Sequence, residues 1–127
     1  AEGAAYDEQL ATVDTAASDR EAFFTLAATD VRNACDAFRG VYERTSAVDG
    51  YVSLEVSPDL ARDAAGTVAE ARRLWAIVDR PNLMIKVPGT VEGAEAIRQL
   101  IADGINVNVT LLFAVEAHAR VIEAYLA

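Results

Sequence analysis

Three short runs of this chain carry ionisable, amide and hydroxyl side chains at every second position among aliphatic neighbours. In Tyr51-Val52-Ser53-Leu54-Glu55-Val56, Ser53 and Glu55 alternate with Val52, Leu54 and Val56. In Leu83-Met84-Ile85-Lys86-Val87, Met84 and Lys86 alternate with Leu83, Ile85 and Val87, and from Ile105 onward Asn106, Asn108 and Thr110 alternate with Ile105, Val107, Val109 and Leu111. Successive strand side chains point to opposite faces, so residues of equal parity share a face. Each run therefore divides into an apolar face for helices to cover and a face bearing chemistry. A lysine on an inward face loses hydration, which disfavours its charged form and leaves a neutral amine able to attack a carbonyl and form a Schiff base. The protonated imine is an electron sink, so an adjacent carbon-carbon bond can break or form without metal or added cofactor. Glu55 has two readings: ionised, it favours the charged form of Lys86; protonated or holding a water, it shuttles protons. Asn108 and Thr110 present donors and acceptors suited to substrate hydroxyls or a reacting water, with Ser53 and Asn106 as further binding candidates.

These side chains need elements to hold them. Tyr6, Leu10 and Val13 predict a helix over residues 4–17, and Ser18-Asp19 offers an N-cap for a long amphipathic helix over 19–44 with Phe24, Ala27, Val31, Cys35, Phe38 and Val41 at helical spacing. The first strand ends at Ser57-Pro58, and helical spacing resumes over residues 64–79 through Val68, Ala71, Leu74, Trp75 and Val78. After the second strand, Pro88-Gly89 breaks pairing, Thr90 caps a helix marked by Ala94, Ile97, Leu100 and Ile101, and Gly104 closes it. The third strand, Ile105 to Phe113, leads into a helix traced by Val115, Ala119, Ile122 and Leu126. Three strand-helix units with crossovers too long for hairpins predict an α/β fold with parallel strands. That order fits a doubly wound sheet or a βα barrel. Buried parallel strands are normally aliphatic on both faces, so three polar faces signal chemistry; where they look into a barrel, Glu55, Lys86, Asn108 and Thr110 converge near the carboxyl ends of neighbouring strands. On the barrel reading, residues 1–127 form one partial barrel domain.

Composition narrows the functions. The 127 residues are 53% hydrophobic, enough for one core, and the net charge of −9 with scattered basic residues argues against nucleic acid. No apolar run reaches the roughly 18 residues of a membrane span and no secretory signal pattern opens the chain, so no membrane partner and a cytoplasmic location are expected. The single cysteine, Cys35, reads as core filler. Neither glycine-rich phosphate-loop pattern is present, and the chemistry calls for no cofactor. His118 reads as a surface or groove residue, Trp75 as core, and Arg72-Arg73 as a solvated basic spot.

The stretches Asp49-Gly-Tyr-Val-Ser-Leu-Glu-Val-Ser-Pro58, Arg80-Pro-Asn-Leu-Met-Ile-Lys-Val-Pro-Gly-Thr90 and Gly104-Ile-Asn-Val-Asn-Val-Thr-Leu-Leu-Phe113 resemble the transaldolase family, in order and properly spaced. The resemblance covers nearly the whole chain and is to the longer bacterial transaldolases rather than the short fructose-6-phosphate aldolase branch. It implies a (β/α)8 barrel in which Lys86 forms an imine with a ketose phosphate, Glu55 and Thr110 hold the water of proton transfer, and Asn108 binds the dihydroxyacetone portion. The implied reaction, in the pentose phosphate pathway, moves a three-carbon ketol unit from fructose 6-phosphate or sedoheptulose 7-phosphate to an aldose phosphate. A full barrel needs roughly 250 residues. The chain is therefore expected to be a fragment of about half a barrel, without the earlier strand that bears the family's acid-base aspartate and without the later phosphate-binding arginine and serine. On that expectation the chain alone is incomplete or inactive. The alternative function is a non-catalytic βα scaffold that self-associates through open strand edges.

Overall fold

The computed structural model describes residues 4–127. The N-terminal helix is shorter than expected. A 3-10 turn, Ala4–Tyr6, leads into one α-helical turn, α1 (Asp7–Leu10), which buries no side chain. It stops because local polar groups compete for the backbone: the Thr12 hydroxyl donates to the Gln9 carbonyl at 2.7 Å, and the Asp14 carboxylate accepts from the Ala16 N–H at 2.9 Å. Helix α2 (Asp19–Arg44) opens with a reciprocal capping box between Ser18 and Glu21, which satisfies two otherwise orphaned donors. Its inward stripe is Phe24, Ala28 and Cys35, with Ala27 and Val31 packed alongside; Phe38 lies outside it, 51% exposed.

Strands β1 (Val52–Glu55), β2 (Leu83–Pro88) and β3 (Val107–Thr110) form a parallel sheet in sequence order. Helices α3 (Ala64–Val78), α4 (Val91–Ala102) and α5 (Val115–Leu126) follow the three strands. Leu54, Val56, Leu83, Ile85 and Val87 are buried with Val68, Ala71, Leu74 and Val78 of α3 and Ala96, Ile97 and Leu100 of α4 in one apolar core. The parity of the strands therefore places the aliphatic residues against the helices. Trp75 is half-buried against that core rather than inside it. No described helix is long and apolar enough to cross a membrane.

The third strand is shorter than the β-branched run suggests. Gly104, at φ 78°, turns the chain out of α4 while the Ile105 N–H reaches back to the Leu100 carbonyl at 3.0 Å. At the other end Leu111 adopts φ 60°, and this left-handed residue ends the strand directly after Thr110.

Asn82 fixes where β1 and β2 begin. Fully buried, it donates through Nδ2 to the carbonyls of Cys35 on α2 at 2.8 Å and Gly50 at 2.9 Å, while its backbone carbonyl accepts from the Val52 N–H at 2.9 Å. One side chain thus ties a helix to the entrances of two strands. Cys35 is completely buried beside it, and desolvation, with a smaller contribution from Asp36, pushes its thiol pKa up, as suits core filler.

Candidate active site

The strand register sets the functional side chains in rows. Glu55 pairs with Lys86 across β1 and β2, and Lys86 pairs with Asn108 across β2 and β3. All three project from the face opposite the apolar core. One step toward the carboxyl ends, Thr110 pairs with Pro88; one step back, Ser53 pairs with Met84.

Within this set the Lys86 Nζ lies 3.1 Å from Glu55 Oε2. The Thr110 hydroxyl donates to the other carboxylate oxygen, Oε1, at 3.4 Å. Glu55 therefore reaches β2 and β3 from β1, with one oxygen for each neighbour. The Asn108 Nδ2 donates to the Ser53 hydroxyl at 3.2 Å, which orients the amide across the sheet and leaves its carbonyl oxygen to accept.

Asn106 does not join this group. Although it shares parity with Asn108, it precedes β3, and its Nδ2 donates to the carbonyls of Pro81 at 3.0 Å and Leu83 at 2.9 Å. Its donors are spent on the backbone that enters β2, a structural rather than substrate-facing placement.

The amine is less enclosed than the sequence reading anticipates. The side chains of Lys86 and Glu55 are 34% and 47% exposed, because three strands form an open sheet whose polar face has no facing wall among the described residues. A cleft of about 570 Å³ runs beside β1, bounded by Phe23, Phe24, Leu54, Glu55 and Ser57. It shares Glu55 with the polar row but does not include Lys86.

Two features escape the motif reading. Lys86 is the only lysine among the eleven Lys and Arg residues, so the chain's sole side-chain ammonium group sits in this row. Glu70 is a buried carboxylate on α3 that accepts from the Ser57 N–H at 2.6 Å, just beyond β1. Its signal in the sequence is a charged residue on the inward helical stripe of Thr67, Ala71, Leu74 and Val78. His118 lies exposed on α5, next to Leu112 and Phe113. Arg72 pairs with Asp103 at 2.7 Å, and Arg73 lies 5.3 Å from the centre of the Phe24 ring, so neither faces the polar row.

The chain is 56% identical to a transaldolase of Thermobifida fusca, over 100% of this chain and 35% of the relative. It is 53% identical to a transaldolase of Acidothermus cellulolyticus over 98% of this chain and 34% of that protein, and 51% identical to one of Mycolicibacterium paratuberculosis over 100% and 34%. The chain spans about a third of the length of these curated relatives. The family model described as transaldolase/fructose-6-phosphate aldolase matches residues 1–127. With the whole chain covered, the three motif stretches are more than a likeness: this chain belongs to the transaldolase/fructose-6-phosphate aldolase family.

Proposed function

We propose that this chain carries the imine-forming part of a transaldolase active site, and that its three strands are consecutive strands of an eight-stranded barrel whose lumen faces the polar row. The observation that carries this reading is the sole lysine held 3.1 Å from a carboxylate at the carboxyl ends of parallel strands.

The neutral amine of Lys86 attacks the carbonyl carbon of a ketose phosphate such as fructose 6-phosphate or sedoheptulose 7-phosphate. The resulting carbinolamine loses water to give a protonated imine. Glu55, steadied by Thr110, holds the water and moves the proton between it and the carbinolamine oxygen. An acid-base carboxylate on another strand of the barrel takes the proton of the hydroxyl beyond the neighbouring carbon-carbon bond, which cleaves that bond with its electron pair passing toward the iminium nitrogen, and returns the proton to the new hydroxyl when the bond re-forms. An aldose phosphate leaves, and a three-carbon enamine stays on Lys86. Attack of the enamine on the aldehyde of a second aldose phosphate re-forms a carbon-carbon bond, and hydrolysis of the new imine restores the amine. Asn108, turned across the sheet by Ser53, binds the hydroxyls of the three-carbon unit.

The test is incubation with fructose 6-phosphate followed by borohydride reduction and mass analysis of the tryptic peptide spanning Lys86. A reduced sugar adduct on that peptide is expected, accumulating slowly because the open face lets water hydrolyse the imine. Well-folded protein with that peptide unmodified refutes the enzyme reading and favours a scaffold.

A further inference from the structure

The buried polar residues among the described part of the chain are Ser57, Thr67, Glu70 and Asn82, and three of these gather around the loop from Ser57 to Asp63 that joins β1 to α3. Thr67 donates to the Leu60 carbonyl at 3.0 Å, and Glu70 accepts from the Ser57 N–H at 2.6 Å. From outside α3, Thr90 at the start of α4 donates to the Ala61 carbonyl at 2.6 Å, and Arg20 of α2 pairs with Asp59. A loop fixed from three helices is a rigid support.

Glu70 is the charged member of this set and is only 9% exposed. Its cationic neighbour Arg73 stands 3.8 Å away, beyond hydrogen-bond distance. Burying a carboxylate is costly, and an aliphatic residue on the inward stripe of α3 would avoid that cost. What the carboxylate provides is an acceptor for one particular donor. The Val56 N–H donates to the Lys86 carbonyl at 3.2 Å, while the next N–H, that of Ser57, donates to Glu70. The chain directly after Glu55 is thus held from β2 by the backbone of Lys86 and from α3 by Glu70.

We propose that Glu70 is a positioning residue for Glu55, holding the carboxyl end of β1 through Ser57 so that the Glu55 carboxylate meets the Lys86 amine. The inference rests on the reading of Lys86 and Glu55 as the reactive pair. Its test needs no sugar, so either idea can fail while the other stands.

Reductive methylation with carbon-13 formaldehyde labels Lys86 as the only lysine, giving one side-chain dimethylamine signal apart from that of the N-terminal amine. Glu55→Gln is expected to move this signal, since Glu55 is the carboxylate 3.1 Å from the amine. Glu70→Ala is expected to move it in the same direction, and Glu70→Gln, which keeps an acceptor oxygen, to leave it in place. The Glu55→Gln/Glu70→Ala double variant is expected to coincide with Glu55→Gln alone, since Glu70 acts through Glu55. Should Glu70→Ala fail to fold, Ser57→Pro removes the donor instead; Ser57 has φ −57°, an angle proline adopts, and the same displacement is expected. An unmoved signal in folded Glu70→Ala or Ser57→Pro protein overturns the proposal. So does a double variant displaced from Glu55→Gln as far as Glu70→Ala is from the parent.

Discussion

Lys86 and Glu55 stand directly opposite each other in the β1–β2 register, and Lys86 Nζ meets Glu55 Oε2 at 3.1 Å on the face turned away from the helices. The meeting follows from strand geometry. Equal parity puts both side chains on one face, the parallel register puts them at one height, and the aliphatic residues between them anchor that face by filling the core on the other.

Asn106 and Asn108 are expected to separate stability from chemistry. Asn106→Ala deprives two backbone carbonyls of their donor and is expected to cost about 1 kcal/mol in urea unfolding, with imine trapping unchanged. Asn108→Ala is expected to leave the unfolding midpoint nearly unchanged. One lost hydrogen bond to substrate, about 1 kcal/mol, slows trapping about fivefold. Equal effects of the two variants on trapping would refute the division.

Asn82→Ala is expected to destabilise the fold by about 1–3 kcal/mol, since it leaves the buried carbonyls of Cys35 and Gly50 without their side-chain donor. Urea denaturation monitored by circular dichroism measures this. A loss below about 0.5 kcal/mol would contradict its role in tying α2 to the strand entrances.

Stability is expected to fall in acid partly through Asp36. Hydrogen bonds from the Arg80 guanidinium, at 2.5 and 2.9 Å, hold its carboxyl pKa below the usual carboxylate range. A carboxylate with a depressed folded-state pKa stabilises fully above its unfolded value, and that contribution is lost as pH falls through the lowered one. Asp36→Asn is therefore expected to melt less steeply with acid below about pH 4 than the parent. Identical acid dependence in thermal melts of the two proteins would refute the coupling.

Parity made the strands legible in the sequence. Val52, Leu54, Leu83 and Ile85 announced the covered face, and Glu55, Lys86 and Asn108 the other. Height along a strand was not legible, because it depends on register; Asn106 therefore read as a binding residue although it sits at the entrance to β3. The helix expected over residues 4–17 failed because periodicity does not show that Thr12 and Asp14 compete for the backbone. Glu70 is not legible because a charged residue in an amphipathic helix reads as surface until the Ser57 N–H is seen beneath it. The exposure of Lys86 is not legible either, because parity gives the face a side chain shares and not whether other strands wall it in.

The most direct measurement is borohydride trapping with fructose 6-phosphate, comparing the parent chain with Lys86→Ala. The expected result is a reduced adduct on the parent and none on the variant, with matching circular dichroism spectra. An adduct of equal yield on Lys86→Ala would contradict the assignment of the amine at position 86 as the nucleophile.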